Sequence, residues 1–315
     1  MQNTENHSHK MDKQCAAVCG LYGEAYSWFI ATIEEPERLT RLAMQMCRSD
    51  SRKIILCINL LIFVLFSGCA TLPDVKTENV NNHRVEYSLI RSGSATVVFE
   101  NGLDGKMNWW RRVIPDISKD ATTFAYNRPG YGNSDGVSSL RDGLHIVEEL
   151  RTLLKSNGLT PPYVLVGHSY GGLLMQLFAR KYPDEVSALI LVDSTHPEQF
   201  KGKGARKNWP AWLRFLFHLY LSSAARQEMD FISATGEQVL TLPAFSGKPV
   251  IVLSALQPLS EKGELADDAN AKRKDIARLY PGSQQVWVDS GHGIPLEKPE
   301  AVIDAVRQVL SKKIN

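Results

Sequence analysis

Ser169 has the sequence neighbours that a nucleophilic serine requires. It stands between Gly167 and Gly171, after the apolar run 163–166 and before leucines at helical spacing. The two glycines allow a sharp strand-to-helix turn, and the start of a helix favours negative charge. A serine hydroxyl is a weak nucleophile until an adjacent base takes its proton. We expect the neighbouring His168 to support the turn rather than to be that base.

A base and an acid for this serine stand further along the chain. His292 lies in a glycine-containing turn after the strand predicted at 284–289, where a loop can bring an imidazole to the sheet edge. Asp193 follows the strand predicted at 186–192, and a carboxylate at the end of a strand can orient that imidazole. The alternative acids are Glu261 and, more remotely, Asp267 or Asp268.

Apolar runs alternate with helical patterns along most of the chain. This alternation predicts an α/β fold with a mostly parallel central sheet and helices on both faces. The alternation stops at about 194–245, where an aromatic helical pattern predicts a small helical cap. The predicted strands are 85–90, with the alternation of an exposed strand, and 95–100, 122–126, 163–166, 186–192, 248–253 and 284–289. The predicted helices are 109–117, 144–155, 173–178 and 299–312.

Four motifs together resemble the α/β-hydrolase superfamily over roughly residues 83–313. In chain order they are Asn101-Gly102-Leu103, Arg128-Pro129-Gly130-Tyr131-Gly132-Asn133-Ser134-Asp135, Gly167-His168-Ser169-Tyr170-Gly171-Gly172 and Ser290-Gly291-His292. The resemblance implies that fold, with nucleophile, acid and base in the order Ser169, Asp193, His292. Many relatives carry the acid after the strand that follows the cap, the region of Glu261, and some carry it where Asp193 stands.

The resemblance also implies an oxyanion hole. Its donors would be the backbone N–H groups of Leu103 and of Tyr170, the residue after the nucleophile. Asn101 stands where relatives usually have His, but a backbone donor survives that change because Gly102 still allows close approach. The loop 128–135 is expected to frame the site. Four side chains are expected either to line an acyl pocket or to pack in the core: Trp109, Trp110, Trp209 and Trp212.

The residues and the resemblance together predict a serine hydrolase that cleaves carboxylic esters of small or apolar acyl groups through an acyl-enzyme. No cofactor or metal is expected. Peptidase, thioesterase and lactonase activities are alternatives within the superfamily. Its epoxide hydrolases and dehalogenases instead carry Asp in place of the serine in this strand-to-helix turn, which we call the elbow. A non-catalytic binding lipoprotein on the same fold is the hypothesis from another class. The net charge of +2 and the lack of a basic stripe argue against nucleic acid; the oligomeric state is left open.

Residues 46–69 have the pattern of a bacterial lipoprotein-type signal. Basic residues precede the apolar run 54–66, which is short for a membrane span and ends in Ser67-Gly68-Cys69. We expect Cys69 to be lipidated, with an uncleaved apolar anchor as the alternative. Both place the folded domain in the cell envelope, outside the cytoplasm and tethered to a membrane.

Two further segments flank this signal. Residues 1–45 are expected to be an unpacked extension, with Met44 or Met46 as alternative starts, and residues 70–82 a linker. All cysteines lie before residue 70, at Cys15, Cys19, Cys47, Cys57 and Cys69. The domain at 83–313 therefore needs no disulfide.

Overall fold

The structure, a computed structural model, describes residues 72–80, 83–136, 138–256 and 263–311. The chain divides into two units, Met1–Thr71 and Leu72–Asn315, and all the described residues belong to the second. The extension, the signal with Cys69, and Glu261 lie outside the described residues.

An eight-stranded sheet is the centre of the fold. Its strands lie in the order β1-β2-β4-β3-β5-β6-β7-β8. The first two are antiparallel to their neighbours, and all later pairs are parallel. The strands are β1 (Val75–Val80), β2 (His83–Ile90), β3 (Thr96–Glu100), β4 (Thr122–Tyr126), β5 (Tyr163–His168), β6 (Val186–Val192), β7 (Val250–Ala255) and β8 (Gln284–Val288).

Helices cover the sheet and form the cap. They are α1 (Ile114–Ile117), α2 (Gly143–Ser156), α3 (Tyr170–Lys181), α4 (Ala211–Tyr220), α5 (Ser223–Thr241), α6 (Glu264–Asp275), α7 (Ile294–Glu297) and α8 (Pro299–Ser311). The central strands β3, β4 and β5 are buried along their whole length, as expected for parallel strands covered on both faces. The predicted α/β class with a mostly parallel sheet is confirmed.

The first strands differ from the prediction. The linker expected at 70–82 is wrong at Val75–Val80, because this segment pairs with β2 over six residues as an edge strand. Its side chains are mostly exposed, so backbone pairing adds a strand that leaves no apolar pattern in the sequence. The exposed strand predicted at 85–90 is buried from Val85 to Leu89. Its polar members have partners: the Glu86 carboxylate, for example, accepts from Asn127 and Asn133.

The segment 194–245 carries two long helices and no strand, and every residue in it is described. Helix α5 packs against α2 and α3. Helix α4 buries only Leu213 and leaves Phe215 64% and Leu219 60% exposed. The helix predicted at 109–117 is instead a short 3₁₀ turn, Met107–Trp110, followed by α1.

A buried charge network joins the cap to the sheet. The Arg128 guanidinium donates from Nη1 to Glu100 Oε1 at 2.6 Å, and from Nε and Nη2 to the Glu228 carboxylate at 3.0 and 2.9 Å. Glu100 ends β3, whereas Glu228 belongs to α5. All three side chains are at most 1% exposed. Burying such ions is costly unless each has its partners, so the network fixes α5 relative to the sheet.

Removing one carboxylate from this network should destabilise the fold strongly. Glu228→Gln leaves the buried Arg128 and Arg141 guanidinium groups without the anion that they share. We expect the free energy of unfolding in urea to fall by about 3–5 kcal/mol. Asp230→Asn is the matched control on the same helix, because Asp230 pairs with Arg206 at an exposed site and should contribute about 1 kcal/mol or less. Equal losses in the two variants would contradict this account of the network.

Candidate active site

Ser169 sits in a strained turn between β5 and α3. Its φ of 53° and ψ of −122° are rare for a residue with a side chain and mark functional turns. A Cβ on Gly167 would lie 2.6 Å from the Gly171 carbonyl oxygen, and one on Gly171 would lie 2.4 Å from the Asn101 carbonyl oxygen. Only glycine therefore fits at either position. Ser169 is half-buried, whereas its neighbours His168 and Tyr170 are buried, so the turn leaves Ser169 partly accessible.

The loop after β3 lies directly against Ser169. A Cβ added to Gly102 would be 3.2 Å from Ser169 Cβ and 3.6 Å from its Oγ. Arg128 Nη1 and Nη2 donate to the carbonyl oxygens of Asn101 and Gly102, each at 2.8 Å. In a trans peptide the N–H points opposite to the C=O, so the Leu103 N–H points away from Arg128. The loop 128–135 thus holds the predicted oxyanion segment in place.

His292 and Asp193 form a buried pair. His292 Nδ1 lies 2.6 Å from Asp193 Oδ2, and the two side chains are 5% and 0% exposed. Asp193 directly follows β6, where its φ of 40° is again an uncommon backbone conformation for a residue with a side chain. Of the alternative acids, Asp267 is exposed and Asp268 pairs with Lys272.

The sheet brings this pair to the same edge as Ser169. Residues His168 and Val192 are register partners in β5 and β6, so Ser169 and Asp193 follow at the same level. His292 comes after β8, and its ring lies 4.6 Å from that of His168, centroid to centroid. The three residues singled out from the sequence therefore lie around one end of the parallel strands.

His168 supports this arrangement. Its Nε2 lies 2.9 Å from the His292 carbonyl oxygen. A carbonyl only accepts, so His168 Nε2 carries a proton. The ring is packed between His292 and Trp109, whose ring centroid is 5.1 Å away. Burial, helped by the adjacent His292 ring, lowers the pKa of His168 to about 3. His168 is therefore neutral near pH 7 and positions the His292 backbone, a contact that the sequence did not predict.

One contact to the acid was not anticipated from the sequence. Arg273 on α6 donates from Nε to Asp193 Oδ1 at 2.7 Å and from Nη2 to Oδ2 at 3.0 Å. Burial would raise the pKa of the Asp193 carboxyl, but the Arg273 charge and the His292 hydrogen bond outweigh it and hold the pKa below its ordinary range. Arg273 is 80 residues from Asp193 in a polar helix, so no local pattern marks it.

The four tryptophans lie in different parts of the domain. Trp110 is fully buried and packs on Phe99 with ring centroids 5.0 Å apart, which makes it a core residue. Trp109 packs on His168 beside the elbow. Trp209 is buried in the cap, where its Nε1 donates to the Gly204 carbonyl, and Trp212 is 38% exposed.

The described part of the chain offers neither a candidate metal site nor a candidate membrane span. Among the described residues, no three His, Cys, Asp or Glu side chains cluster in a way that could hold a metal ion. No helix in the described part of the chain is long and apolar enough to cross a membrane.

Comparison with known proteins agrees with this fold. The family described as the alpha/beta hydrolase fold matches residues 95–250. The protein YqjL of Bacillus subtilis is 34% identical over 102 residues, which are 32% of this chain and 40% of YqjL. A (lyso)-N-acylphosphatidylethanolamine lipase of Homo sapiens is 29% identical over 128 residues, 38% of this chain and 36% of that protein.

A solved structure extends the similarity to most of the domain. A thermophilic esterase from Thermogutta terrifontis superimposes with a TM-score of 0.55 at 22% identity, over 76% of this chain and 98% of the esterase. The chain spans about two fifths of the length of the first curated relatives that it matches. The sheet topology and the family match over residues 95–250 show that this chain has the α/β-hydrolase fold.

Proposed function

We propose that this protein is a serine hydrolase that cleaves carboxylic esters through an acyl-enzyme. The observation that carries the proposal is the arrangement of Ser169 in a strained glycine-flanked turn, at the same sheet edge as the buried His292–Asp193 pair. A nucleophile, a base and an acid that orients the base are the parts that acyl transfer by serine requires.

In the first half-reaction, Ser169 Oγ attacks the carbonyl carbon while His292 Nε2 takes the hydroxyl proton. Asp193 holds the Nδ1–H tautomer of His292 and stabilises the imidazolium as it forms. The negative oxygen of the tetrahedral intermediate accepts from the N–H groups of Leu103 and Tyr170, each donor contributing about 3–4 kcal/mol. Collapse of the intermediate expels the alcohol, which takes the proton from His292.

In the second half-reaction, water replaces the alcohol. His292 removes a proton from water, the hydroxide adds to the acyl carbon, and Ser169 leaves with the proton returned. The acid product is released and the serine is regenerated. No other co-reactant is needed.

An apolar acyl group is the substrate class that fits the surroundings best. Trp109 packs beside the elbow at His168. The similarity to the human lipase named above also favours a lipid-like ester. Thioesters, lactones and peptides use the same acyl chemistry, so hydrolysis of matched p-nitrophenyl ester, thioester and amide substrates would rank them. A binding lipoprotein without activity would hydrolyse none.

Tethering to the cell envelope is part of the proposal. The basic residues, the apolar run 54–66 and the Ser67-Gly68-Cys69 ending support a lipidated Cys69. The exposed Phe215 and Leu219 on α4 support action near an apolar surface. The protein would then work on esters at the outer face of a membrane.

Lipidation can be tested directly. Metabolic labelling with a radioactive fatty acid should label the native protein. The label should be lost in Cys69→Ala, because the lipid is attached through a thioether bond to the Cys69 sulfur. Cys57→Ala, within the apolar run, is the matched control and should retain the label. Label that persists in Cys69→Ala would contradict the assignment.

The role of Asp193 predicts a large kinetic effect. In Asp193→Asn, the donors Ala255 N and Arg273 Nε hold the amide oxygen at the Oδ1 position, so the amide NH₂ faces His292 Nδ1 and selects the wrong tautomer. We expect kcat to fall roughly 10²- to 10⁴-fold with KM little changed. Glu261→Gln is the control and should stay within about tenfold of the native rate. The reverse result, with Glu261→Gln crippled and Asp193→Asn active, would move the acid to the later loop.

A further inference from the structure

We propose that Arg273 is a positioning residue that fixes the Asp193 carboxylate and lowers the pH at which His292 becomes free to act as a base. Its effect on activity rests on the proposed hydrolase function, whereas its effect on His292 protonation does not. Arg273 touches no reacting atom in this scheme and acts through Asp193.

The hydrogen bonds of Asp193 leave its carboxylate no rotational freedom. Oδ1 accepts from Ala255 N at 3.0 Å and Arg273 Nε at 2.7 Å, and Oδ2 accepts from Arg273 Nη2 at 3.0 Å beside His292 Nδ1 at 2.6 Å. Arg273 supplies two of these contacts in the planar fork that matches a carboxylate. Without the fork, only Ala255 and His292 would set the orientation of the acid.

The guanidinium is itself held in place. Its remaining Nη1 donates to Asn270 Oδ1 at 3.2 Å, one turn earlier on α6. Its side chain is only 12% exposed, so solvent screens its charge weakly. Arg273 therefore presents a fixed cation to a carboxylate with no exposed side-chain surface.

The Arg273 cation weakens the electrostatic stabilisation that the Asp193 carboxylate gives to a protonated His292. A carboxylate facing a neutral imidazole alone would strongly favour the imidazolium, and His292 would hold its proton to a higher pH. The positive charge of Arg273 offsets much of the negative potential that the Asp193 carboxylate produces at His292. Histidine is therefore deprotonated, and able to accept the Ser169 proton, at a lower pH than an unpaired Asp–His dyad would allow.

Other groups near His292 do not substitute for Arg273. His168 from β5 is neutral near pH 7 because burial lowers its pKa to about 3. Glu297 from α7 accepts from the Gly291 N–H at 2.8 Å and adds a negative charge near the His292 turn. Arg273, in contrast, brings a positive charge into direct contact with the Asp193 carboxylate that faces His292.

If the role of Arg273 were purely structural, it would be to hold α6 against the sheet through Asp193. That helix has a second attachment, because Lys272 Nζ donates to the carbonyls of Gln199 and Lys201 and pairs with Asp268. Lys272→Gln therefore loosens α6 without touching Asp193. Because the Lys272 charge is already paired, its loss should affect His292 little.

The test is a histidine NMR titration of the full chain, with the His292 signal assigned through His292→Gln. In Arg273→Gln, loss of the cation should raise the titration midpoint of His292 by about one pH unit. Arg273→Lys, which keeps a cation, and Lys272→Gln should each lie within about 0.3 unit of the native midpoint. Asn270→Asp should also raise the midpoint, because it places an anion beside the Arg273 guanidinium. If circular dichroism shows that Arg273→Gln does not fold, the Asn270→Asp variant provides the test instead.

The pH profile of kcat/KM with p-nitrophenyl butyrate provides the second readout. The acid limb of Arg273→Gln should move up with the NMR midpoint. An unchanged midpoint in a folded Arg273→Gln or Asn270→Asp, or an equal shift in Lys272→Gln, would overturn the proposal. A shifted midpoint without ester hydrolysis in any variant, native included, would support this inference and refute the proposed function.

Discussion

The buried Arg128 guanidinium is the constraint on which the site depends most. It pairs with Glu100 at the end of β3 and with Glu228 of the cap, and its remaining N–H bonds hold the Asn101 and Gly102 carbonyls. One side chain thus joins the sheet, the cap and the segment facing Ser169. Because an unpaired buried cation is costly, these three parts must keep their relative positions for the fold to be stable.

The acid side of the site, at the end of β6, is also held by an arginine. Asp193 leaves β6 with a positive φ and receives its four contacts from β7, α6 and the turn after β8. Arginines therefore hold both sides of the site, Arg128 through the Asn101 and Gly102 carbonyls and Arg273 through the Asp193 carboxylate. The hydrolase chemistry proposed for Ser169 would occur between two fixed ion pairs.

Much of the candidate site can be predicted from local sequence patterns. The rest depends on contacts between residues that are far apart in the chain. The elbow was visible because Gly167, Ser169 and Gly171 lie within one turn, and Asp193 was visible because it ends an apolar strand. Arg273 was not, because its partner is 80 residues away. The edge strand Val75–Val80 was missed because its stability comes from backbone pairing and its side chains are exposed.

Covalent labelling of the nucleophile tests the central claim most directly. The folded full chain is treated with a fluorophosphonate, digested, and mapped by tandem mass spectrometry. A serine activated by the His292–Asp193 pair should give one adduct, on the Ser169 peptide, which is absent in Ser169→Ala and formed far more slowly in His292→Gln. A folded protein that forms no adduct, or forms it on another serine at the same rate in Ser169→Ala, would contradict the account.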